Sequence, residues 1–148
     1  MRFFALKPVL AALSLSAVLL AGCTQAPVKP QASLYDRLGG KEAITAVVDA
    51  LSANVAADAR VNQRFANANI KRFKAQMVEL LCEASGGPCK YKGMDMKTVH
   101  AGMKITEAEF MAVAENASKT LDSFKVPAAE KAEVMNLLAS LKGDVVNQ

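Results

Sequence analysis

Gly86-Gly-Pro-Cys-Lys-Tyr91-Lys-Gly93-Met-Asp-Met96-Lys-Thr-Val-His100-Ala-Gly102-Met-Lys-Ile105-Thr106 is the stretch on which the reading of this chain turns. It holds the only histidine of the 148 residues. Met96 and His100 stand one helical turn apart and share a face. Gly102 ends that segment, and Thr106-Glu-Ala-Glu109 carries the capping-box pattern that starts another helix. A lone imidazole does not hold zinc or copper, which want three or four protein ligands. It suffices for a metal that arrives with its other ligands in place, and haem iron, ringed by four porphyrin nitrogens, is such a metal. The bland alternative is a structural histidine near a helix end.

Outward from this stretch the chain reads as helices. No run sustains a two-residue alternation, and clusters of β-branched residues are missing. Leu34 to Leu38 reads as a short first helix stopped by Gly39-Gly40. Glu42 to Ala56 carries a broad apolar stripe of Ala43, Val47, Ala50, Leu51 and Val55, with Ile44 and Val48 beside it. Asp58 to Asn67 is irregular, with a single turn over Arg60 to Phe65. Asn69 caps a segment from Ile70 to Ala84 that places Phe73, Met77, Leu80 and Leu81 on one face. Gly86 to Gly93 is a loop, and Met94 to Ala101 a short helix carrying His100. Glu107 to Phe124 is long, and Pro127 opens a last helix ending near Val146. The expectation is an all-α domain.

The first 22 residues stand apart. Arg2 and Lys7 precede an apolar run from Val9 to Leu20, the pattern of a secretory signal too short to span a membrane stably. Leu20-Ala-Gly-Cys23 resembles a bacterial lipobox, which implies cleavage before Cys23 and its acylation; the alternative is an ordinary secretory signal. More than one acyl chain makes attachment to a membrane stable. Residues 23–33 then form a tether, Thr24 to Ser33 being rich in proline and polar residues. Thr24 stands where an aspartate retains Gram-negative lipoproteins in the inner membrane. The expected location is therefore the cell envelope, on the periplasmic face of the outer membrane in a Gram-negative host. Residues 34–148 have the size of one domain. The net charge is +4, and without Arg2 and Lys7 the chain keeps sixteen basic side chains against fourteen acidic ones, too mild a balance for a nucleic-acid partner.

Cys82 and Cys89, sent to an oxidising compartment, invite a disulfide. On one unbroken helix their Cα atoms stand roughly 10 Å apart, too far to bridge. Gly86-Gly87-Pro88 turns the chain and brings a bridge within reach. The other reading is one buried and one exposed thiol.

Ser33-Leu-Tyr-Asp-Arg-Leu-Gly-Gly40 resembles the opening of truncated haemoglobins. Gly86-Gly87-Pro88, Tyr91-x-Gly93, Met96-Lys-x-Val-His100-x-Gly102 and Ile105-Thr106 resemble their haem-binding half, in the order and spacing of group 1, and Val126-Pro127 agrees. The resemblance covers residues 34–148. It implies a two-over-two helical sandwich around haem b, with His100 as proximal iron ligand, Phe65 packed on the ring and Phe73, Met96, Ile105 and Phe110 lining it. In each case ordinary core packing is the plainer reading. Tyr91 touches the porphyrin edge or a propionate, or else anchors its loop. One or two of Lys71, Arg72, Lys74, Lys90 and Lys92 pair with propionates, and the rest form a solvated face. The covalent haem motif Cys-x-x-Cys-His is missing.

Where group 1 members place a tyrosine and a glutamine that donate hydrogen bonds to bound oxygen, this chain has Ser52 and Met77. Gln76 is one residue away, turned by about 100 degrees. Loss of those donors, each worth about 1 to 3 kcal/mol when charge-assisted, speeds oxygen release and autoxidation. Carbon monoxide and nitric oxide suffer less. The implied function is binding of diatomic gases, with nitric oxide detoxification driven by an external reductase as its enzymatic form. Two rivals stand beside it. Met77 as a second iron ligand makes an electron carrier, with Gln76 a further candidate; Met77 as an apolar pocket wall is the plainer reading. A haem-free lipoprotein adaptor needs an exposed apolar groove, and no apolar stripe is left over for one.

Overall fold

The computed structural model describes residues 31–148. The leader, Cys23 and most of the tether lie outside the described residues. Seven helices follow in order: α1 (Leu34–Arg37), α2 (Gly40–Ala57), α3 (Ile70–Ala84), α4 (Met96–His100), α5 (Glu107–Ser123), α6 (Ala128–Ser140) and α7 (Lys142–Val145), with a single 3-10 turn at Asn62–Phe65 before α3. No helix among the described residues is long and apolar enough to cross a membrane.

Local chemistry sets the helix starts. Ser33 and Asp36 form a reciprocal capping box on α1, and Thr106 and Glu109 do the same on α5. Asn69 and Asp95 cap α3 and α4 through their side chains. Between α1 and α2 the chain reverses through Gly39 and Gly40, at φ +94° and +77°. Consecutive left-handed residues are strained for any side chain, so this corner needs glycine.

Helix α2 is the centre of the packing and contacts both α3 and α5. Its first half packs Ile44 and Val48 against Val78, Cys82 and Cys89, with Tyr35, Met77 and Leu81 around them. Its second half packs Val55 against Val61 and Ala112, with Leu51, Phe65 and Val113 around them. Val48 and Val61 are almost wholly buried, and such burial contributes about 1.5 to 3 kcal/mol per side chain. A polar staple adds direction to the α2–α5 contact. Asn116 donates to Asp58 at 2.6 Å and Asn54 donates to the Thr120 hydroxyl at 2.9 Å. The Arg60 guanidinium first, then Asn116, hold the Asp58 carboxyl well below the usual range.

Several boundaries differ from the sequence reading, α2 beginning at Gly40 rather than Glu42 and the single turn at Asn62 rather than Arg60. The short helix begins at Met96 rather than Met94, because Asp95 caps it by accepting from the Thr98 amide. The last helix does not run to Val146. It stops at Ser140, and α7 folds back onto α4. Val146 then lies beside Ile105 in an isolated parallel bridge, the one β feature among the described residues. The amide of Asn147 donates to the Ile105 carbonyl and that of Lys104 to the Gln148 carbonyl, each at 2.9 Å. Gly143, a weak helix former, lies in the folded-back turn.

Candidate functional site

A helix of five residues does not hold itself in water. Helix α4, which carries His100, is held by its surroundings. On its N-terminal side the loop after α3 is tied down at several points. Cys82 and Cys89 are joined by a disulfide with their Cα atoms 5.7 Å apart. The Glu83 carboxylate accepts from the Tyr91 amide at 2.8 Å and pairs with Lys90, and these two contacts lower its pKa. Tyr91 is a loop anchor: its hydroxyl donates to the Met94 carbonyl at 2.8 Å. It folds over Gly93, where an added Cβ would lie 2.2 Å from the hydroxyl and 2.5 Å from Gln76 Oε1, so glycine is needed for the close approach.

On the C-terminal side lies a clasp that sequence reading missed. Arg64, in the 3-10 turn, donates to the Met103 carbonyl at 2.9 Å and grips Glu109 with two further bonds of 2.7 and 3.0 Å. The same Glu109 caps α5 through Thr106. Arg64 first, then the Thr106 amide, push the Glu109 carboxyl down to about 2. The Met103 amide in turn donates to the His100 carbonyl at 3.0 Å. The capping box was legible in Thr106-Glu-Ala-Glu109. Arg64 carried no local signal, because its partners lie far away in sequence.

His100 is half-buried. Its Nδ1 lies 2.7 Å from the Met96 carbonyl oxygen. A carbonyl only accepts, so Nδ1 carries the proton, and in the neutral imidazole Nε2 is then the nitrogen with the free lone pair. Phe65, Phe73, Met77 and Met96 are each only half-buried. The rings of Phe65 and Phe73 meet edge to face at 5.3 Å. Ile105 and Phe110 are buried within the domain. Helix α6 buries no residue fully, and its Val134, Met135, Leu137 and Leu138 stay half-covered. Two hollows of about 40 and 330 Å³, both lined in part by Leu137, have no wall residue from α4.

The polar candidates are occupied or turned away. The Ser52 hydroxyl donates to the Val48 carbonyl of its own helix at 2.7 Å. Met77 packs against the Ile44 and Val48 cluster. Gln76 Oε1 is shut off from water without a hydrogen-bond partner, beside Gly93. Of the five flanking cations, Lys74 pairs with Asp49 and Lys90 with Glu83. Among the described residues no group of three or more His, Cys, Asp or Glu is placed to hold a bare metal ion. One imidazole with a free ring nitrogen, together with half-covered apolar side chains on the 3-10 turn and α3, suits a metal delivered inside a large apolar ring.

The family profile described as bacterial-like globin matches residues 33–147. A group 1 truncated hemoglobin of Mycolicibacterium paratuberculosis is 37% identical over 114 residues, 77% of this chain and 84% of its own length. Another from Chlamydomonas moewusii is 35% identical over 144 residues, 95% of this chain and 83% of its own. The crystal structure of truncated hemoglobin from Tetrahymena pyriformis in its Fe(III) form superposes with a TM-score of 0.76 at 31% identity, covering 79% of this chain and 100% of that one. Profile, relatives and helical architecture agree: the chain belongs to the group 1 truncated haemoglobins among the bacterial-like globins, with their two-over-two helical fold and with haem b as the cofactor.

Proposed function

We propose that this globin holds haem b through Nε2 of His100 and presents it to diatomic gases at the cell envelope. The carrying observation is the bond from His100 Nδ1 to the Met96 carbonyl. It selects the tautomer with a free Nε2, fixes the ring's rotation and raises its basicity as a ligand. Haem held by His100 would supply an iron able to take a diatomic gas and to change oxidation state. Phe65, Phe73, Met77 and Met96 offer the half-covered apolar surface such a ring needs, and Ile105 and Phe110 complete the wall. The Tyr91 hydroxyl is committed to the Met94 carbonyl of its own loop.

The chain supplies little to a polar ligand. Ser52 spends its only proton on Val48, and Met77 has none to give. Oxygen, which carries partial negative charge when bound, is held loosely, while nitric oxide and carbon monoxide lose less. Nitric oxide detoxification with electrons from an external reductase fits this balance better than oxygen storage. Met77 acts as a wall in this reading, so the chain is no His/Met electron carrier. The leader, the Leu20-Ala-Gly-Cys23 ending and the short tether support a lipid anchor through Cys23. If so, Cys23→Ala releases the protein from membrane fractions; equal release of the unaltered chain removes the anchor.

One set of spectra tests the centre of the proposal. Purified protein titrated with hemin takes up one equivalent, turns five-coordinate when reduced, and binds carbon monoxide. A protein that stays colourless with excess hemin overturns the reading in favour of a haem-free adaptor.

A further inference from the structure

Around the helix that carries His100 the chain gathers positive charge and bare apolar surface. Lys71, Arg72, Lys92, Lys97 and Lys104 are exposed and take no ion-pair partner among the described residues. The three carboxylates of the same stretch are committed. Glu79 pairs with Lys41, Glu83 with Lys90, and Asp95 caps α4. Outside residues 70–104 the described chain has more acidic than basic side chains, so the domain is electrically polarised. A second observation falls on the same stretch. It holds Ile70, Met94, Val99 and Met103, four of the six large apolar side chains left exposed, and Met94 at 57% is the most open. Packing draws these pieces together. Gly93 lies against Gln76, one turn beyond Arg72 on α3, and Arg64 ties the Met103 carbonyl to the turn that precedes α3. Apolar, methionine-bearing surface ringed by cations has the composition of a protein interface with an anionic partner.

We propose that this face docks an acidic one-electron carrier, an iron–sulfur or flavin protein, beside the cofactor. The proposal rests on the haem reading above, and it answers a need of that reading. A globin without a donor for bound oxygen oxidises readily and must be re-reduced. In the step, one electron leaves the carrier's reduced centre and one ferric iron becomes ferrous; no bond forms or breaks, and no proton is required. The two carboxylates of a bound haem are outnumbered by the free cations, so the face stays positive when loaded. An anionic membrane is the less favoured occupant, because docking the cofactor side on lipid covers the entry that the carrier and the gas both need.

The test uses the haem-loaded chain and a plant-type [2Fe–2S] ferredoxin as probe, whose potential near about −400 mV suffices for the transfer. Reduction of the ferric protein, followed by stopped flow, slows at least about tenfold between low salt and about 0.3 M salt, where the screening length falls well below 10 Å. The double variant Lys97→Glu with Lys104→Glu slows at least about tenfold at low salt and loses most of its salt dependence, as expected for reversed steering. Its carbon monoxide spectrum and its rate with a neutral photoreductant stay unchanged. Calorimetric binding of oxidised ferredoxin weakens in parallel, a readout that needs no electron transfer. Ferredoxin reduction at the unaltered rate in the variant overturns the proposal, as does an equal loss with the neutral reductant. So does loss of binding to anionic phosphatidylglycerol vesicles alone, with ferredoxin binding intact. A failure of the haem reading appears separately, as a colourless protein that still binds ferredoxin in a salt-dependent way.

Discussion

The two sides of the cofactor site are built in opposite ways. On the His100 side, the short helix is braced by the disulfide, by Glu83 on the Tyr91 amide, by the Arg64–Glu109 clasp, and by the chain end on Lys104. The facing walls of α2 and α3 need no such help, since long helices packed on each other hold their own geometry. Leu51 and Met77 pack on the two core clusters, Phe73 meets Phe65 edge to face, and the Ser52 hydroxyl is turned back on its own helix. Under the proposed reading, the chain invests its polar contacts in holding the His100 imidazole and almost none in gripping a bound gas. The lesson is that retention of the cofactor and retention of the gas are separable here.

Substitutions that hit one side and spare the other break that comparison if it is wrong. His100→Gly carries the largest effect. Outer partners of a metal ligand are worth about 10- to 100-fold in affinity, so loss of the ligand itself weakens hemin binding by at least about 100-fold. Added imidazole restores the spectrum, and Ser52→Ala in parallel leaves hemin affinity unchanged. Full haem retention in His100→Gly ends the assignment.

Next in size is the disulfide. Replacing Cys82 and Cys89 together by alanine frees a short loop and lowers unfolding stability by about 2 to 3 kcal/mol, measured by urea denaturation. Faster haem loss accompanies it if the loop braces α4; a purely global loss of stability with unaltered haem exchange in the folded state counts against bracing.

Restoring a donor sharpens the other side. Ser52→Tyr slows oxygen dissociation by roughly 10- to 100-fold, the equivalent of about 1.4 to 2.7 kcal/mol for a charge-assisted bond. Carbon monoxide dissociation, followed in the same instrument, changes far less. Equal slowing of both gases would point to a closed entry rather than to a hydrogen bond.

The Arg64 clasp predicts a smaller effect with a pH signature. The folded-state pKa of Glu109 lies below its unfolded value, so the clasp stabilises fully above about pH 4.5. That contribution is lost as pH falls through about 2. Glu109→Gln lowers stability at neutral pH and flattens the acid limb of the stability profile. An unchanged slope between pH 5 and 2 removes the clasp from the account. Smallest of all is Met77→Leu, which leaves the reduced spectrum as it was; a shift on substitution revives thioether ligation.

Periodicity and punctuation made most of the fold readable. Asn69, Thr106 and Pro127 mark helix starts by local bonds or the lack of an amide, and each stands one residue before its helix. The solitary His100 and the glycine corner before it were readable for the same reason: they are local. The break at Leu141 was not, because what draws α7 away from α6 is its packing on α4, and the bond from Asn147 to Ile105 spans the domain. Arg64 was invisible as a clasp because Met103 and Glu109 come near it only after folding. Tyr91 had two readings until the loop closed over Gly93 and committed its hydroxyl to Met94. Sequence alone thus determined the helix order and the standing of His100 as the only imidazole, since helix starts depend on residues within a turn or two of one another. Only the tertiary structure decided which distant groups brace the short helix, because Arg64 meets Met103 and Glu109, and Asn147 meets Ile105, solely through packing.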